Sequence, residues 1–319
     1  MLRYLRSRIP AAILVLIGAS LLVFSMLHFL PGDPVMIMMA SGGGGGAGTQ
    51  SANISAEQYE AIRHELGLDR PLYVQFGTFL WNALHGDLGR SFRSNQTVAE
   101  MIGGAFPNTL RLAVLSLSIS CALGVALGTL AAVRQNTWID SASMAFALFG
   151  VAMPNFWFGL VLISIFSLSL GWLPATGVGG WNAIILPALA LGVRSAAVIA
   201  RLTRSSLLEV LSEGYLATAR AKGLPERIVV LRHALRNALI PVVTIAGLQF
   251  GDLLAGAVVI EVVFARPGIG NLAVKAIENK DFPVVQGTVL VVATAYVLTN
   301  LLTDITYAIL DPRISYGSV

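Results

Sequence analysis

The chain has 319 residues, of which 55% are hydrophobic and only 12% charged, about half the charge of an ordinary soluble domain; its mean hydropathy of +0.75 excludes a water-facing globule. A formal charge of +4 does not mark a nucleic-acid binder, because the basic residues stand at the ends of apolar runs and not in an aromatic-interleaved patch. The single cysteine, Cys121, excludes a disulfide framework and a cysteine zinc site, leaving a small packing residue.

An all-α integral membrane protein of about six transmembrane helices is predicted. Apolar stretches able to cross a hydrocarbon core, which takes about 20 residues, fall near 9–30, 108–133, 141–170, 184–203, 241–264 and 285–310. The first follows Arg3, Arg6 and Arg8 as a signal sequence would, but it is longer than a signal core and no small-residue cleavage site follows, so it reads as a permanent span.

Residues 31–107 are too long for a simple turn and must partly fold. The glycine run Gly42 to Gly46 gives Gly43 and Gly48 the separation of a phosphate loop. Thr49 and Gln50 stand where its lysine would be, and no strand precedes it, so it reads as a flexible linker. Ser55 and Gln58 form a capping-box pattern, Tyr59, Ile62 and Leu66 follow at helical spacing, and Gly67 ends that helix. A second helix starts at Pro71 and carries Leu72, Phe76, Phe79, Leu80 and Ala83 on one face before Gly86. A docking platform for an external partner and a lid over the spans fit this outer helical region equally.

Within the spans, Pro154 and Pro187 predict kinks. Gly124 with Gly128, and Gly247 with Gly251, repeat at the spacing that lets helix backbones approach closely. Basic residues at the amino terminus, at Arg134, through Arg201 to Arg236 and at Arg313 place both termini and the 205–240 segment in the cytoplasm.

Residues 205–240 read as two short amphipathic helices. Tyr215 to Lys222 forms the first, Gly223 the break, and Pro225 begins a second that runs to Arg236-Asn237 before Pro241, with Leu216, Leu224, Ile228 and Leu231 as exposed apolar positions. Ala217-Thr218-Ala219-Arg220-Ala221-Lys222-Gly223, followed by Leu239-Ile240-Pro241, resembles the EAA loop of ABC importer permeases. Tyr215 to Leu224, His233 to Ala238, Leu30-Pro31-Gly32-Asp33-Pro34, Gly86-Asp87-Leu88-Gly89, Arg266-Pro267-Gly268-Ile269-Gly270 and Asp311-Pro312-Arg313 resemble the oligopeptide, dipeptide and nickel group of that family. One departure is visible: the acidic residue that names the loop is Ala217 here.

The resemblance implies a type I ABC importer permease fold. It makes Ala217, Thr218, Ala219, Arg220, Ala221, Lys222, Gly223 and Leu224 the ATPase-coupling residues. Its implied organisation is a cytoplasmic N-terminus with the first helix (1–30), an extracytoplasmic loop region (31–107), a five-helix permease core (108–310) with the coupling loop at 205–240, and a cytoplasmic tail (311–319). It implies an inner-membrane, non-catalytic subunit with no cofactor of its own. ATP and Mg would sit on two ATPase subunits, beside a second homologous permease and an extracytoplasmic substrate-binding protein. The implied cargo is a di- or oligopeptide, with nickel or another small ligand as the alternative.

Arg194 and Asp252 are the charges placed deepest in apolar runs and are candidate translocation-path residues. Three readings stand: they pair, they line a watered pathway where they meet the termini of a peptide, or Arg194 snorkels beside a hydrated Asp252. His28, His64, His85 and His233 are scattered, and no serine, histidine and carboxylate set or metal-ligand spacing appears, which argues against a membrane enzyme. The lack of an inverted hydropathy repeat argues against an ion-coupled secondary transporter.

Overall fold

In lipid, a helix is the way an open segment satisfies every backbone group internally, and the computed structural model follows that rule. It describes residues 2–29, 35, 56–65, 67–94 and 96–310. The Pro31-Gly32-Asp33-Pro34 motif with Leu30, the glycine run, Ser55, Leu66 and the tail from Asp311 lie outside the described residues. The helices in chain order are α1 (Leu2–Phe29), α2 (Ala56–Glu65), α3 (Leu72–Leu84), α4 (Val98–Val133), α5 (Trp138–Ala152), α6 (Asn155–Leu162), α7 (Ile185–Leu211), α8 (Gly214–Ala221), α9 (Leu235–Val263), α10 (Ile269–Glu278) and α11 (Phe282–Leu310). A π-helical stretch, Ile163–Ser169, extends α6, and a 3-10 turn, Trp181–Ile184, leads into α7. Among the described residues the β structure is one isolated bridge, Arg90 to Thr97.

Among the described residues, five helical runs are long and apolar enough to cross a membrane, and there are up to six if the bent α5 and α6 pair is one span. The kink expected at Pro154 is a sharp one: the two halves of that pair meet at 108°. Pro154 explains the break, because its ring disfavours helical geometry at Met153, which takes ψ 134°. Pro187 produces no comparable break, since it lies in the first turn of α7, where its missing N–H leaves no helical bond unmade.

The second span begins earlier than expected, at Val98, and runs through Pro107. Thr97 and Glu100 set that start as a reciprocal capping box: the Thr97 N–H donates to the Glu100 carboxylate at 3.2 Å and the Glu100 N–H to Thr97 Oγ1 at 3.3 Å. The short helices α2 and α3 form where expected, with Gly67 at φ +66° following α2 and Pro71 just outside α3.

Two compact units divide the chain. One is built on Thr109–Arg266 with the part of α11 from Ala295; the other holds the described residues of Arg6–Asn108 and Pro267–Thr294. At the centre of the first unit is α7, whose apolar window is 72% buried against 28% or less for the other unbroken spans. It packs on α9, α5 and α6, and its core joins Leu186 and Leu191 to Leu112, Leu254, Ile260 and Phe264. Gly124 and Gly128 make the close approach expected of them. A β-carbon on Gly128 would stand 2.5 Å from the Ala200 carbonyl oxygen, and one on Gly124 2.7 Å from that of Ala196. Gly247 meets Thr303, and Gly251 meets Tyr296, both on α11.

In the second unit the Gly86 to Gly89 motif is a turn held by the Asp87 carboxylate, which accepts from the Gly89 N–H at 2.9 Å. Asp281, 3% exposed, fastens the chain that follows, accepting from Ser91 Oγ at 2.5 Å and from the Phe92 N–H at 3.0 Å. An apolar cluster of Val98, Ile102, Ile269, Ala276, Val284 and Val285 forms its interior.

Candidate functional site between α7 and α9

The 205–240 segment is more helical than its sequence predicts. Helix α7 continues through Leu211, Ser212 closes it by donating its Oγ to the Glu209 carbonyl at 2.7 Å, and α8 starts at once. The break after α8 is at Gly223, whose φ of +76° suits a residue without a β-carbon. The second short helix is not separate. Glu226–Ile228, a π-helical stretch Val229–Ala234 and α9 form one run of 38 residues, Glu226–Val263, with Pro241 inside it.

Leu216 corrects the expectation of an exposed apolar face. It is 0% exposed, among Ala132, Leu207, Val229, Val230, Ala234 and Ala238, with Ala219 and Leu224 packed at the edge. Ile228 and Leu231 are exposed, at 39% and 49%. Asn237 donates its amide to the Tyr215 hydroxyl at 2.8 Å, tying the start of α8 to α9. Arg220 reaches across Gly223 to Glu226 with a two-pronged contact at 2.9 and 3.1 Å, and the Glu226 carboxylate raises the Arg220 pKa. Ala217, Thr218, Ala221 and Lys222 are left facing outward. The segment is thus a short helix held from beneath by one leucine and presenting small side chains above.

A second feature beside this segment escaped the sequence reading. The sequence marks Arg204 only as an orienting charge, yet its guanidinium grips Asp140 through two contacts of 2.7 Å, while Asp140 also accepts from the Asn136 N–H at 3.1 Å. The pair fastens the start of α5 to α7. Because a lone partner would keep its desolvation cost, Asp140→Asn or Arg204→Gln alone should lower the thermal midpoint of the purified protein. The double variant should lose no more than the worse single one. Additive losses in that double-mutant cycle would contradict a direct coupling.

Arg194 and Asp252 are both exposed, and no ion pair joins them among the described residues, so the pairing reading does not hold in this structure. A cation at that depth costs about 3 kcal/mol by insertion scales. Arg194 borders a cavity of about 40 Å³ with Phe146, Phe149, Met153, Asn155 and Phe158. Among the described residues the most deeply buried charge is Glu261, 0% exposed, which accepts from Thr109 Oγ1 at 2.5 Å. It lies near the end of the apolar run 241–264, nine residues beyond Asp252, and only its chemical misfit there could have flagged it. Beyond it, Arg266 of the Arg266-Pro267-Gly268 motif donates to the Gly177 carbonyl at 3.1 Å, while the Gly177 N–H donates to the Phe264 carbonyl at 2.5 Å. Burial pushes the Arg266 pKa down, against the pull of the nearby Glu261 carboxylate.

Comparison with known proteins identifies the family. Residues 124–316 match the family described as binding-protein-dependent transport system inner membrane component, and residues 1–113 match its N-terminal counterpart. The chain is 46% identical, over 99% of its length and 100% of the relative's, to the glutathione transport system permease protein GsiC of Escherichia coli O6:H1. Among solved structures, the inward-facing MetNI methionine ABC transporter matches with a TM-score of 0.55 at 22% identity, over 66% of this chain and 96% of that one. An amino acid ABC transporter solved with histidines matches at 0.51 and 17% identity, over 74% and 98%; both share the fold. With family matches spanning nearly the whole chain and a full-length relative at that identity, this protein belongs to the binding-protein-dependent inner-membrane components and is an ABC importer permease subunit.

Proposed function

We propose that the chain carries short peptide-type cargo, of the size and charge of glutathione, through the inner membrane with a second permease as its other half. Similarity to a named glutathione permease over the full chain supports that cargo class. Two ATPase subunits, holding the ATP and Mg that this chain has no part in binding, dock on residues 217–224, and an extracytoplasmic binding protein delivers the cargo. Both termini lie in the cytoplasm, on the side of the basic segments.

The observation that carries the coupling role is the architecture of α8, anchored through buried Leu216 with Ala217, Thr218 and Ala221 outward. Small residues on a rigid short helix allow close docking in a partner's cleft, so Ala217 at the usual acidic position is compatible with it. Arg194 and Asp252 lie along the cargo path. In proteoliposomes holding the whole complex and its receptor, ATP hydrolysis and uptake should rise several-fold with glutathione or a tripeptide and not with nickel. Stimulation by nickel alone would overturn the cargo reading.

A further inference from the structure

We propose that Arg194 and Asn155 form a subsite for the terminal carboxylate of the cargo, an inference that rests on the peptide reading above. Within the Thr109–Arg266 unit, Arg204 is answered by Asp140 and Glu261 by Thr109. Arg194 has no ion pair or side-chain hydrogen bond among the described residues. A guanidinium midway along an apolar helix calls for an anion, and its planar fork matches a carboxylate through two parallel bonds.

The surroundings select the size and class of that anion. Arg194 and Asn155 are the polar side chains around the cavity, and its remaining wall is apolar, led by Phe146, Phe149 and Phe158. Its volume of about 40 Å³ exceeds the ~10–15 Å³ that one water needs. The space therefore has room for a carboxylate group.

The cavity also sits where the α5 and α6 pair bends by 108°. Interrupted backbone at membrane depth is tolerated where it is packed in protein or lines a watered cavity. A cargo passing the break would lay its carboxylate on Arg194 and the Asn155 amide, with its neighbouring carbon atoms against the phenylalanines. The same chemistry could come from an Asp or Glu of the second permease, and the test separates the two sources.

Uptake by the complete complex is measured with glutathione and with glutathione amide, whose glycyl carboxylate is a neutral carboxamide, for the wild type, Arg194→Gln and Arg194→Lys. Loss of one charged hydrogen-bond partner is worth roughly tenfold or more. Arg194→Gln should therefore lower glutathione uptake by about that factor, change amide uptake by less than about twofold, and leave the complex assembled; Arg194→Lys should restore part of the loss. Equal loss of both cargoes, or failure of the variants to co-purify with the second permease, would assign Arg194 to an intersubunit pair and overturn the subsite. Unchanged uptake of both would overturn it too. Wild-type complex that moves neither compound overturns the peptide reading and the subsite with it, a result distinct from the variant-specific ones.

Discussion

Truncating Leu216 to alanine should cut cargo uptake per ATP hydrolysed by about tenfold or more while the permease still folds. Helix α8 has eight residues, and isolated helices shorter than about 12–15 residues are marginal in water. Its shape therefore depends on docking, and Leu216 is the docking side chain, 0% exposed in a cluster that draws on α4, α7 and α9. Removing a buried leucine side chain costs about 2–5 kcal/mol, enough to leave such a helix undocked in most molecules. The spans, with their own larger core, would stay folded. Leu216→Met, a swap of similar volume that costs less than about 1.5 kcal/mol, should retain coupling. Protease cleavage after Arg220 and Lys222 should accelerate in the alanine variant. An alanine variant that pumps normally would remove α8 from the drive path.

Gly128→Leu should abolish the folded permease altogether. The obstacle is backbone: a β-carbon there would meet the Ala200 carbonyl oxygen at 2.5 Å, Thr203 Cβ at 2.6 Å and the Arg204 nitrogen at 3.1 Å. None of these is the free end of a flexible side chain, so α4 and α7 must separate. Overpacking by a few methylenes usually costs about 1–3 kcal/mol, and a wedge against two rigid backbones exceeds that. Separation would also disturb Arg204, and with it the grip on Asp140. The control lies on the same helix. Gly103 and Gly104 have nothing within 4 Å of an added β-carbon, so alanine there should hold or raise stability, by about 0.5–1 kcal/mol each. Monodisperse yield and thermal midpoint in detergent read both results. Equal losses at Gly128 and Gly103 would deny any special role to the close approach.

Much of the fold was legible because lipid imposes a simple rule on composition. The span positions, the short helices α2 and α3, and the small-residue stripe of Gly124 and Gly128 follow from apolar length, capping chemistry and spacing. Proline misled in both directions. Pro107 and Pro241 lie inside continuous helices, Pro187 falls where a helix start absorbs it, and Pro154 alone accompanies a sharp break. The ring is the same in each case, and the surrounding packing decides its effect. The Thr97 to Glu100 box was readable in the sequence and marks the true start of α4, but the apolar run beyond Pro107 masked it.

The site was legible as a segment and less so as a mechanism. The motif located α8, yet which of its leucines is buried depends on α4 and α9, neighbours that helical periodicity within the loop does not contain. For the same reason Asp140 with Arg204, 64 residues apart in the chain, and Thr109 with Glu261, 152 apart, are long-range pairings that no local pattern announces. Depth along an apolar run, which singled out Arg194 and Asp252, ranks charges by position and is blind to what faces them.

The unbroken run Glu226–Val263 makes a rod about 57 Å long at 1.5 Å per residue, with its looser winding confined to Val229–Ala234 near the end that adjoins α8. A π turn holds one residue more than an α turn, so expelling that residue would swivel everything beyond it by about 100°. A push too small to slide a helix could in this way reorient the face that Asp252 and Gly251 present some six turns away, converting a tug at the membrane surface into a twist at its middle.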